Sequence, residues 1–282
     1  MHNLMKLSPL ILAVACLLNL PAVAAEQDKE ALALVDRIVQ AYGGAGAIER
    51  IVAVNAEGHI NASMRNDHGT YKRWLQRPRK LRVEIAYQRG TESRILNGDQ
   101  VWRSDGDGAA KSVSGPGYLA VVYQYKQLDL PCGLLKGSYR LRHAGKESVE
   151  GVETEVLEAS DMEGPSMRIN VDAASHYIVR VGGRIELGGA ATELAAVFSD
   201  YRPVEGVPMP FRIRNYAGGM AVSETIIQRY SVNPSDDPAL FAPPIMEHHG
   251  RALSLVDRPS LPAADQAPAM NGTVIGWRRP VR

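Results

Sequence analysis

The sequence predicts a mainly β protein with some α: an incomplete antiparallel β-barrel, laid out as a meander, with an N-terminal helix and a helical lid. Three observations predict it. Short runs with a two-residue apolar period recur from the sixth decade of the chain to Val232, separated by Gly, Pro, Asn and Asp clusters. Asn97-Gly98 joins two such runs as a tight hairpin would. One apolar segment, Gly115 to Gly137, breaks the series with helical spacing.

Taken in order, the chain begins with Lys6, an apolar run from Leu7 to Leu20, and Pro21-Ala22-Val23-Ala24-Ala25 ahead of Glu26-Gln27-Asp28. Such a charge, short apolar run and small-residue site describe a cleaved signal peptide over residues 1–25, and the run is too short and wrongly flanked for a membrane span. Cys16 offers a lesser alternative, a lipid anchor, against which stands Ala13 where such sites usually carry leucine.

Ala31, Leu34, Val35, Ile38, Val39 and Tyr42 then recur at three- and four-residue steps, with Asp28 as N-cap and Gly43-Gly44 as a stop. Ala45 to Arg50 reads as one more helical turn. In Leu81, Val83, Ile85 and Tyr87 the apolar side chains alternate with Arg82, Glu84 and Gln88, the mark of a half-buried strand. Gly69 to Leu75 precedes it through Arg77-Pro78-Arg79. The hairpin Glu92 to Arg103 follows, with a type I′ turn expected at Asn97-Gly98.

Tyr118, Val121, Val122, Tyr125 and Leu128 are spaced for a helix, broken after Pro131 and Gly133. A lone apolar helix among strands predicts a lid or plug on the sheet's inner face. Strands then resume at residues 139–143, 152–159, 166–171, 177–185, 193–201, 211–216 and 223–232, about ten or eleven in all, a count that suits a barrel or a strongly curved sheet. The stretch Phe198 to Ile213, FSDYRPVEGVPMPFRI, reads as strand, turn and returning strand. Leu240-Phe241 is expected as a last anchor, and residues 245–282, with four scattered prolines, as a flexible tail.

Composition narrows the function. The 282 residues hold 45% apolar side chains, enough for a sizeable core. Of 32 Lys and Arg against 31 Asp and Glu, cleavage after Ala25 removes Lys6 alone, leaving a formally neutral chain. That argues against a nucleic-acid partner, which needs a basic surplus. Cys132 is then the one cysteine left and reads as a buried, inert thiol. No nucleophile elbow, phosphate loop or dinucleotide fingerprint occurs. His248-His249 lacks a third ligand at metal spacing, and Asp105 and Asp107 lack the rest of a calcium loop. No catalytic residue, metal or cofactor is therefore assigned.

The order of these features resembles the LolA-like outer-membrane lipoprotein-sorting proteins. The resemblance rests on the amphipathic helix ending in Gly-Gly, Arg77-Pro78-Arg79-Lys80-Leu81-Arg82-Val83-Glu84, Asn97-Gly98-Asp99-Gln100-Val101-Trp102, Asn170-Val171-Asp172 and the 198–213 stretch. It covers residues 26–244. It implies a half-barrel closed by helices, non-enzymatic, in the periplasm of a Gram-negative cell, with a lipid or lipoprotein acyl chain in its hollow. The family also includes sensors of envelope stress, so recognition of an inner- or outer-membrane protein is the alternative role. The candidate cavity and lid residues are Leu81, Val83, Ile85, Tyr87, Tyr118, Val122 and Tyr125, with Trp74 and Trp102 expected at the rim. Arg77, Arg79 and Arg82 are the candidates for a lipid headgroup or an acidic partner.

Overall fold

The computed structural model describes residues 28–106, 110–187, 189–235 and 237–242. The expected signal peptide, Cys16 and the 245–282 tail lie outside them.

Helix α1 (Lys29–Ala41) forms where the apolar stripe predicts it. The Asp28 carboxylate accepts from the backbone N–H of Glu30 and Ala31, occupying donors that a helix start leaves free. It also accepts from the N–H of His143, 2.8 Å away, which ties the helix start to a distant strand and holds the carboxyl below its usual range. Gly43 and Gly44 both take positive φ, and the Gly44 N–H returns to the Val39 carbonyl. A short α2 (Ala45–Arg50) follows.

Thirteen antiparallel strands then build one open sheet. In chain order they are β1 (Ala53–Ala62), β2 (Asp67–Gln76), β3 (Lys80–Tyr87), β4 (Gly90–Asn97), β5 (Gln100–Gly106) and β6 (Lys111–Ser112). After α3 (Gly115–Asp129) and α4 (Cys132–Leu135) come β7 (Arg140–Val149), β8 (Val152–Ser160), β9 (Met167–Asp172), β10 (Ile178–Leu187), β11 (Ala190–Val204), β12 (Val207–Ala217) and β13 (Met220–Val232). The spatial order is β6-β5-β4-β3-β2-β1-β13-β12-β11-β10-β9-β8-β7. Two meanders thus meet at β1 and β13, β6 and β7 are the free edges, and α3 and α4 carry the chain from one edge to the other.

Two elements exceed the expected strand count. Strand β1 alternates faithfully, but its inward residues include Ala56, Gly58 and Ala62, too small to raise an apolar signal. Gly58 sits at a bulge against β13, where a Cβ would lie 2.0 Å from the Ile226 carbonyl oxygen. Strand β6 has only two residues. The β4–β5 turn also differs from expectation. Asn97 pairs with Gln100 in the ladder, so Gly98, at φ +59°, takes the first central position, the II′ pattern. At the end of the lid segment, Gly133 lies inside α4, where a Cβ would stand 3.0 Å from the Tyr139 ring, a tight contact.

The inner face carries two apolar clusters. One joins α1, α2 and α4 to β7–β12 through residues such as Leu34, Ile38, Leu157 and Ile169, all fully buried. The other joins α3 to β1–β5 through Leu81, Val83, Leu96, Val101, Val121 and Val122. On the outer face of β3 and β4 a 3-10 turn (Pro238–Phe241) buries Phe241, the anchor that Leu240-Phe241 suggested.

Candidate functional site

Helix α3 is apolar on more than one side because it is covered on more than one side. Val121, Val122 and Tyr125 join the β1–β5 cluster, while Tyr123 joins the other. Gly183 on β10 makes room for Tyr123: a Cβ there would stand 2.7 Å from the ring. The Tyr123 hydroxyl donates to the Leu194 carbonyl at 3.4 Å, and Gln127 Nε2 donates to the Val181 carbonyl at 3.0 Å.

On its other flank α3 is held by a polar latch. Arg79, in a left-handed backbone conformation at φ +53°, donates its N–H to the Tyr125 hydroxyl at 2.9 Å. Its guanidinium meets both oxygens of Glu163, at 2.6 and 2.8 Å, and the Tyr118 hydroxyl donates to the same carboxylate at 2.6 Å. Lys126 pairs with Asp161 at 2.6 Å. Arg79 belongs to the β2–β3 turn and residues 161–163 to the β8–β9 connection, so the latch joins the two meanders through the helix. The Arg79 charge and the Tyr118 hydroxyl hold Glu163 down to a pKa of about 2.

Beneath α3 lies a chamber of about 330 Å³. Its walls are Ile85 and Tyr87 of β3, Tyr71 of β2, Arg94 and Arg103 of β4 and β5, the helix side chains Val121, Gln124 and Leu128, and the small residues Ala195, Ala196 and Ala217 of β11 and β12. A second chamber of about 90 Å³, toward α2, is walled mainly by Ile48, Ile51, Leu75, Ile178 and Met209, with Arg73 and Arg77. Gln127, Leu128, Phe198 and Ile213 stand in the walls of both. The 198–213 hairpin thus contributes a residue from each strand to the partition. At its strand ends Tyr201, in edge contact with Tyr42, fills the small chamber's far side.

The structure distributes the sequence candidates over three places. Ile85 and Tyr87 line the large chamber. Leu81, Val83, Val122 and Tyr125 share one apolar cluster beside it, with Tyr118 packed against that cluster and engaged in the latch. Trp74 and Trp102 do not stand at the rim: Trp74 pairs with Arg82, and Arg82 with Ile95, which pairs with Trp102, so all four side chains share the outer face. There Arg82 binds Glu84 and the Leu240 carbonyl. Arg77 is inside, paired with Asp129 at 2.5 Å, and Arg79 is the latch residue.

Sequence reasoning passed over Tyr71, Arg94, Arg103 and the alanines. Their signal is parity: counting outward from Leu96 and Val101 places Arg94 and Arg103 on the inner face. The buried Cys132 thiol is pushed up by its burial. Among the described residues no group of three or more His, Cys, Asp or Glu is placed to hold a metal ion.

No family model and no curated protein matches the chain. Solved structures do. A DUF1329 family protein from Desulfovibrio piger superposes with a TM-score of 0.50 at 14% identity, over 75% of this chain and 96% of that one. An outer membrane lipoprotein-sorting protein domain from Vibrio parahaemolyticus gives 0.49 at 12% identity, over 76% and 96%. A LolA superfamily protein from Nitrosomonas europaea gives 0.47 at 14%, over 77% and 98%. At these identities the likeness is one of fold alone.

Proposed function

We propose that the protein is a non-enzymatic binding protein of the bacterial envelope that holds a lipid or lipoprotein acyl chain between α3 and the inner face of the sheet. It would act in the periplasm after removal of residues 1–25. The observation that carries the reading is the chamber of about 330 Å³ under α3. A recess of this size, partly open to the surface, offers its walls to a ligand whose contacts would replace those with water. Its volume falls at the small end of the usual range for ligand pockets, roughly 300–1,000 Å³. Each methylene moved there from water contributes about 0.8 kcal/mol, so one acyl chain supplies useful affinity without any bond to the protein.

Full enclosure of a chain under α3, and its release, would involve displacement of that helix. Its polar ties to the two meanders are the latch on one flank and Tyr123 with Gln127 on the other, and beyond these it is held by the apolar burial of Val121, Val122 and Tyr125. The fold likeness to the Desulfovibrio piger protein supports the architecture, and the chamber supports its use for binding.

Purification of the natively exported protein, followed by lipid extraction and mass spectrometry, tests the proposal. A co-purifying acyl lipid at near one per chain is expected. A protein that is consistently empty and binds no added fluorescent fatty acid would sink it.

A further inference from the structure

The chamber walls have a one-sided charge. Arg73, Arg77, Arg94 and Arg103 line the two chambers, and neither wall includes an aspartate or glutamate. Arg77 is neutralised by Asp129 from behind. The other three stand in one lateral row of the sheet, since Arg73 pairs with Val83, Val83 with Arg94, and Arg94 with Arg103.

Arg94 and Arg103 are direct cross-strand neighbours, so their Cα atoms are about 4.5–5.5 Å apart. Like charges in that position destabilise a sheet. Their own counter-ions are weak. Arg103 reaches Asp105 at 3.1 Å, but that carboxylate is 71% exposed, and Arg103 Nε is shielded from solvent without an acceptor in the protein. Arg94 stands 3.8 Å from Glu92, whose carboxylate is already bound by Arg65. Arg73 is 6% exposed, with Nε and Nη1 lacking an acceptor; its charge lies over the Tyr230 ring and is met by the side chains of Tyr71 and Tyr230 rather than by a carboxylate.

Burying guanidinium groups this way is costly unless an anion joins them. Arg94 is half-buried, with 29% of its side chain accessible, and it stands in the chamber wall. Burial, and next the charge of Arg103, depress its pKa; arginine nonetheless stays protonated.

We propose that the hollow takes an anionic amphiphile, its carboxylate or phosphate oxygens seated between the guanidinium groups of Arg94 and Arg103 and its chain running under α3 toward the small chamber. The proposal rests on the binding function proposed above and adds the headgroup and its direction. Arginine is suited to the role, because its planar fork meets either oxyanion with two parallel hydrogen bonds. The walls differ in the same sense: the large chamber has the paired arginines, Asn215 and Thr225, while the small one is walled mainly by aliphatic and aromatic side chains, with Arg73, Arg77 and Gln127 as its polar members.

The test compares three single-chain probes on the delipidated full chain by calorimetry: hexadecanoate, hexadecyl phosphate and hexadecanol. The anions are expected to bind at least about tenfold more tightly than the alcohol, the scale of one charge-assisted hydrogen bond. In the Arg94→Gln/Arg103→Gln variant that preference is expected to fall to about twofold or less, while Arg94→Lys retains part of it. Preference for hexadecanoate assigns a free fatty acid as source, and preference for the phosphate assigns a phospholipid head; either supports the proposal. Equal binding of acid and alcohol to the native chain would overturn the headgroup inference and leave the acyl-chain function standing. Binding of none of the three would overturn both. Should the double variant not fold, the native acid-to-alcohol ratio at low and high salt decides: a ratio that stays near one at both refutes the site.

Discussion

The two halves of the inner face use the same strand alternation to opposite ends. Over β7–β12 the helices α1, α2 and α4 fill the face, and Leu157, Ile169, Met167 and Val181 are almost wholly buried there. Over β1–β5, and over the stretches of β11 and β12 that carry Ala195, Ala196 and Ala217, the cover is α3, and beneath it these alanines stand beside paired arginines. The difference lies in side-chain volume and number of helices, not in strand pattern. A half-barrel can therefore be a packed core on one side and a binding hollow on the other.

One substitution made at a packed site and on the chamber wall breaks or confirms this contrast with the largest effect. Ala159 is 1% exposed between Leu141 and Met167. Ala159→Leu overpacks it and is expected to cost about 1–3 kcal/mol in denaturant unfolding. Ala196→Leu, directed into the chamber, is expected to cost less than half as much and to reduce acyl-ligand affinity at least about tenfold by filling the space. Equal costs would mean that the hollow closes in solution.

A smaller effect probes the seat of α3. Gly183→Ala brings a Cβ to 2.7 Å from the Tyr123 ring. The ring must move, at an expected cost of about 1 kcal/mol. Hydrogen exchange should speed up in α3 while α1 stays protected; uniform acceleration would show that α3 is no more separable than the rest of the core.

The latch gives a pH prediction. Glu163 has its pKa lowered from 4.5 to about 2, so the stabilisation it contributes is fully present above 4.5 and disappears as pH falls through about 2. Retention of a bound acyl probe is expected to be level from pH 7 to pH 4.5 and to fall only in stronger acid. Glu163→Gln should loosen α3 at neutral pH and flatten that acid limb. A native midpoint near 4.5 would mean that Arg79 and Tyr118 do not hold the carboxylate in solution.

Much of the fold was legible because large apolar residues mark it: the α1 stripe with its Gly-Gly stop, the β3 alternation, the helical spacing from Tyr118 to Leu128. What escaped was marked by small or polar residues. Strand β1 turns Ala56 and Gly58 inward, and Arg94 and Arg103 read as the wet side of a hairpin until the register places them opposite each other on the inner face. The hollow itself is a shortage of side-chain volume, and a shortage on β11 becomes a cavity only where no second helix covers it. No local pattern in the chain records that condition.

The smallest expected effect concerns the tryptophans. Trp74 and Trp102 were natural rim candidates because an amphipathic ring suits a lipid boundary. Parity decides otherwise, since each pairs into the row that contains Arg82 and Ile95, on the face where Arg82 reaches the Leu240 carbonyl and Lys80 stands 5.6 Å from the Phe241 ring. Trp74→Phe and Trp102→Phe are accordingly expected to leave acyl-ligand affinity within about twofold, well under the tenfold step that 1.4 kcal/mol represents. Tyr87→Ala, on the chamber wall, should lower it more than either. If Trp102→Phe weakens binding and Tyr87→Ala does not, the ligand occupies the outer face, and the contrast between the packed and hollow halves has no bearing on function.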